Sequence, residues 1–108
     1  MVLQIAAAPY RLVAPVEREI AVQVGSVVYL AGGLDPAGNS AAGVFALHPS
    51  TGQLTAIGSV PNAFHDAAGA MVAGRLFVFG GGSSSGTDLV QAFDPATGTG
   101  AVVGHLPV

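Results

Sequence analysis

The chain has 108 residues, enough for one domain with a modest core, and 51% of them are apolar while only 8% are charged. That composition excludes a disordered tail, and no run approaches the roughly 20 apolar residues a membrane-crossing helix needs. A net charge of −3, with only Arg11, Arg18 and Arg75 as strong bases, gives no basic face for nucleic acid.

There is no cysteine, so neither disulfides nor thiolate metal sites are available, and the redox compartment stays open. The start, MVLQIAAAPYRLVAPV, has the apolar run of a secretory signal. It lacks the basic flank, and Pro9 cuts the run short, so no cleaved signal is expected. So few charges on a small chain also imply that some apolar surface is covered by another copy or by further sequence.

Along the chain, residues 1–16 read as an N-terminal strand of a preceding or partner unit, with 10–16 extended and 2–7 a possible second piece. Residues 18–24 (REIAVQV) form a first strand suited to burial on both faces, and Gly25-Ser26 reverses the chain. A second strand, VVYLA, ends in Gly32-Gly33. A polar, glycine-rich loop leads to a third strand at 43–48. The turn Pro49-Ser50-Thr51-Gly52 follows, proline fixing φ and glycine accepting a positive one, and a fourth strand spans 53–60.

The order then repeats. Strands are expected at 65–73, at 76–79 running into Gly80-Gly81, at 88–94, and at 99–106 after the Asp94-Pro95-Ala96-Thr97-Gly98 turn. The period is 46 to 49 residues, giving one unit at 17–61 and another at 62–108. No window carries a helical period, and glycine and β-branched residues oppose one. The fold class is therefore all-β, and four antiparallel strands per unit of under about 50 residues is the arithmetic of a propeller blade.

LFVFGG at 76–81 followed by FDPATG at 93–98 resembles the kelch repeat of β-propellers, and VYLAGG at 28–33 with LHPSTG at 47–52 is a more diverged copy. The tryptophan usual after that turn is replaced by Leu54 and Gly100. The resemblance implies two four-stranded antiparallel blades plus the N-terminal strand. A blade needs neighbours on both sides, so two blades leave two open flanks. The expectation is a closed homo-oligomeric ring, most simply a trimer of about six blades, with the N-terminal strand exchanged between chains.

The resemblance also places His65 and Asp66 at the channel entrance, with Arg18 equivalent to them, where they face a small polar ligand or a protein partner. The alternative reading makes them solvated loop groups. Asp94 is expected to form an Asx turn rather than act in catalysis. His105 is given no role. GGGSSSG at 80–86 lacks the Lys-Ser/Thr ending and the helix of a phosphate loop. The histidines lack metal-ligand spacing, and no cofactor, metal or catalytic residue is expected. The function expected is a structural or binding scaffold. The alternatives are a piece of a larger propeller enzyme whose active residues lie elsewhere, or an engineered or excised assembly fragment.

Overall fold

A computed structural model describes residues 3–8, 11–12 and 15–107. Eight strands form two four-stranded antiparallel sheets, and no helix occurs among the described residues. The first sheet orders β1 (Ile20–Val24), β2 (Val27–Ala31), β3 (Ala41–His48) and β4 (Gln53–Phe64) as a meander. The second orders β5 (Ala68–Val72), β6 (Arg75–Phe79), β7 (Leu89–Asp94) and β8 (Thr99–His105) in the same way.

The repetition extends to register. Ile20 pairs with Ala31 as Ala68 pairs with Phe79, and Leu47 pairs with Leu54 as Phe93 pairs with Gly100. The offset is 48 residues up to the double glycine and 46 after it, with a bulge at Val44/Phe45 recurring at Val90/Gln91. Val24–Val27 and Val72–Arg75 close first turns of equal length. Ala73 takes the left-handed conformation of Gly25, φ 50° against 58°.

The sheets stack face to face, with β1 beside β5 and β4 beside β8. Ile20, Ala31, Val44, Val60 and Phe64 of the first sheet meet Leu76, Val78 and Phe93 of the second to form the core. Each large side chain buried there contributes about 1.5–3 kcal/mol. Gln91 is the buried polar side chain among them, and its amide donates to Asn62 O at 3.0 Å and accepts from Asn62 N–H at 2.8 Å. Both halves of that amide are satisfied by one backbone residue of the opposite sheet, which fixes how the sheets are offset.

Several expected boundaries move. β5 starts at Ala68 rather than 65 because Asp66 is left-handed, φ 56°, and Arg18 at φ 59° delays β1 to Ile20 in the same way. β4 continues past residue 60, where Pro61 sits on a strand edge and needs no donor, and reaches Phe64, which pairs with Ala41. The first strands are not buried on both faces: β1 buries Ile20 alone, with Ala21, Gln23 and Val24 exposed. No strand forms among the described residues of 1–16, since an extended segment becomes a strand only by pairing. Pro9, Tyr10, Val13 and Ala14, part of that expectation, lie outside the described residues.

The doubled glycines differ in what they admit. Gly32 has φ 69°, and a Cβ there would sit 2.4 Å from the Phe64 ring. Gly80 has φ 65°, but its nearest neighbours, Leu106 and the Thr87 carbonyl, lie at 3.3 Å. Gly32→Ala is expected to cost about 3 kcal/mol, combining left-handed strain with displacement of a core ring, and Gly80→Ala about 1–2 kcal/mol from strain alone. Urea denaturation of the two variants checks the order; equal losses would mean that the ring contact carries no energy.

Candidate functional site

Arg18, His65 and Asp66 do come together. The 48-residue register puts Arg18 and Asp66 at equivalent positions of the two repeats, and stacking lays those positions side by side. Asp66 N–H donates to Arg18 O at 3.2 Å, and the Arg18 guanidinium donates to Asp66 Oδ2, also at 3.2 Å. Their side chains are 53% and 57% exposed, so water screens the pair. Glu17 approaches Arg18 at 4.0 Å from the other side.

His65 is more deeply held. Its Nδ1 shares a 2.9 Å hydrogen bond with Ser40 Oγ, and its backbone bridges to Gly82 in both directions at 2.9 Å. Ser40 belongs to the loop before β3, so this bond ties the first repeat to the start of the second. Sequence reasoning missed Ser40: it lies 25 residues from His65, in a loop whose counterpart position is Gly86. The bridge that places it, Leu34 to Ser40, has no sequence signature.

Serine, histidine and aspartate therefore stand in line, but not as a nucleophilic triad. The His65 Nε2 to Asp66 Oδ2 distance is 4.0 Å, and Asp66 is already engaged by Arg18. A triad needs the acid hydrogen-bonded to the base and oxyanion donors beside the serine. The arrangement works instead as a latch across the two sheets. Glu17 and Asp66 also outnumber Arg18 here, so the cluster favours donors over a free anion.

Asp94 forms the expected Asx turn, accepting from Ala96 N–H at 2.9 Å. Pro95 occupies that same turn. His48, its counterpart, supplies only its carbonyl, to Thr51 and Gly52. His105, given no role from sequence, donates from Nδ1 to Asp88 Oδ1 at 3.1 Å, tying β8 to the loop before β7. Gly81, at φ 90°, lets the chain pass the His65 carbonyl, 2.8 Å from a would-be Cβ, and Gly33 passes the Glu17 carbonyl at the same distance. Among the described residues no cluster of three His, Asp or Glu side chains has the arrangement of a metal site, and no helix is long and apolar enough to cross a membrane.

A cavity of about 480 Å³ lies against β1–β4 on the side of Leu30 and Phe45. Leu30, Phe45, Gly43, Ala56, Leu12 and Val16 are among its lining residues. Asp35 stands at its rim and organises the loop there: Oδ1 accepts from the Ala37 and Asn39 N–H groups, both at 2.9 Å. The Asn39 backbone bond foremost, outweighing a slight desolvation, holds the Asp35 carboxyl below its usual value, with the Asn39 side chain and the Ala37 and Gly38 amides adding to it.

In comparisons with known proteins, no family model and no curated protein matches the chain.

Two predictions follow from this geometry. His65→Ala should cost about 1 kcal/mol in urea denaturation by cutting the half-buried Ser40 bond. Arg18→Ala should change stability by less than about 0.5 kcal/mol. The reverse order would make the ion pair, not the histidine, the latch. For Asp35, a folded-state pKa below the unfolded one means that its ordering of the loop is complete above the unfolded value and is lost as pH falls through the folded one. Amide exchange at Ala37 and Asn39, corrected for intrinsic rates, should rise below about pH 4 in the wild type and be fast at neutral pH in Asp35→Ala; protection unaffected by either change would remove Asp35 from that role.

Proposed function

We propose that the chain is a two-blade module of a kelch-like β-propeller, with a structural or binding role and no catalysis of its own, which completes a ring with further blades. The observation that carries this reading is the recurrence of one sheet register at a fixed offset, with the two sheets stacked face to face. That is the relation of successive propeller blades. The double glycines support it, because each lets its second strand run past the start of the first strand of its own sheet. The simplest closed assembly is three copies with about six blades.

In such a ring the latch residues Arg18, His65 and Asp66 recur around the axis at one mouth of the channel, where a small polar ligand or a protein loop would be held by alternating donors and acceptors. The absence of triad geometry at Ser40, His65 and Asp66 supports a binding role over a hydrolytic one. Light scattering on the full chain at micromolar concentration is expected to give three times the 10.6 kDa chain mass. A monodisperse single-chain species would overturn assembly from copies.

A further inference from the structure

We propose that the apolar outer face of β1–β4 is covered by the free face of β5–β8 of a second copy, in the head-to-tail register that already packs the two sheets within one chain. This rests on the ring reading above and names the surfaces that would carry it.

Because the registers superimpose, several residues of the intrachain contact have counterparts on the faces turned away from it. Val78 is fully buried between the sheets, whereas its counterpart Leu30 lines the outer cavity. Ile57 packs against the core from the β4 bulge, whereas its counterpart Val103, in the β8 bulge, is 46% exposed. A Cβ on Gly58 would lie 2.4 Å from the Gly98 carbonyl and 2.7 Å from the Phe93 ring, while one on Gly104, its counterpart, would have nothing within 4 Å. One chain thus carries both halves of a contact it makes only once.

The two free faces also complement each other in size and charge. The free face of β5–β8 presents the stacked rings of Phe77 and Phe79, whose centroids are 6.1 Å apart, where the first sheet has Tyr29 and Ala31. The cavity opposite is hollowed by small residues, Gly32, Ala41, Gly43 and Ala56 among them, so larger rings meet a recessed wall. At the inner edge, equivalent positions carry opposite charges. A second copy docked head to tail would bring its Arg18 beside Asp66 of the first, continuing the alternation set by the intrachain pair. Docking of like face on like face would instead oppose Arg18 to Arg18 or leave the bulges unmatched. A contact between unlike faces is heterologous and propagates until it closes.

The test uses the full chain and one variant per face, Leu30→Glu and Val103→Glu, with mass read by light scattering and β-structure by circular dichroism. Each variant alone is expected to fall from the wild-type multimer to a single-chain mass while keeping the wild-type spectrum. Mixed one to one, they should form a dimer and nothing larger, since each retains one intact face and the two faces fit each other. Should Leu30→Glu lose its β-spectrum, the exposed Ala56→Glu replaces it on the same face. A multimeric wild type whose mass neither variant changes, or a mixture that stays single-chain, overturns this interface and leaves the ring reading standing. A single-chain wild type overturns both, and the face then belongs to the chain's own N-terminal segment or to an unrelated partner.

Discussion

The close approach of two sheets at glycine positions is the constraint from which the rest of the structure follows. Phe93 of the second sheet lies over Gly58 of the first, and Ile20 of the first over Gly69 of the second, each at a distance no Cβ would allow; within the first sheet Phe64 lies over Gly32 in the same way. A side chain at Gly58 or Gly69 would hold the sheets apart, and one at Gly32 would push the Phe64 ring from its seat in the core. Where large apolar side chains are scarce, as in a chain with no tryptophan and 6% aromatic residues, tight backbone approach substitutes for side-chain bulk. The buried Gln91 amide then sets the offset by reading both backbone groups of Asn62.

From that stacking comes the geometry of the polar cluster. Arg18 and Asp66 meet because they hold the same place in two repeats laid side by side, and their opposite charges make the approach favourable rather than merely tolerated. The left-handed backbone at both residues turns the chain into each first strand and points both side chains to the same rim. A short latch results, anchored by Ser40 and His65 and trimmed by an exposed ion pair. Its histidine is bonded to Ser40, and the Asp66 carboxylate beside it lies 4.0 Å from Nε2 and is engaged by Arg18.

The free faces are the other consequence. A sheet with apolar residues on both sides is stable in water only when both sides are covered. Here one side of each sheet is covered by its neighbour, and the other side of each keeps the same kind of residues, with Leu12 and Val16 of the N-terminal segment beside that of the first sheet. The recessed face around Leu30 and Phe45 and the ring-bearing face around Phe77 and Phe79 are the two ends of a stacking pattern that a single chain interrupts. The proposed ring and the proposed head-to-tail contact both start from that interruption.

Strand content, strand order within each repeat and the chemistry of the turns were legible in the sequence, because they depend on local pattern: alternating apolar residues, paired glycines, and a Pro-x-Thr-Gly turn that closes in one way. Asp94 as an Asx turn former is of this kind. The extension of β4 to Phe64, the exposure of β1, the lack of a strand among the described residues of 1–16 and the pairing of His105 with Asp88 were not legible, because each depends on what lies across a sheet or on whether a covering layer exists. Nor was Ser40, which reaches His65 only after two repeats stack. By itself the sequence determined the repeat and its strands, through short-range sterics and periodicity. Only the tertiary structure decided which faces are buried and which polar groups meet, because those are set by backbone approach between residues far apart in the chain.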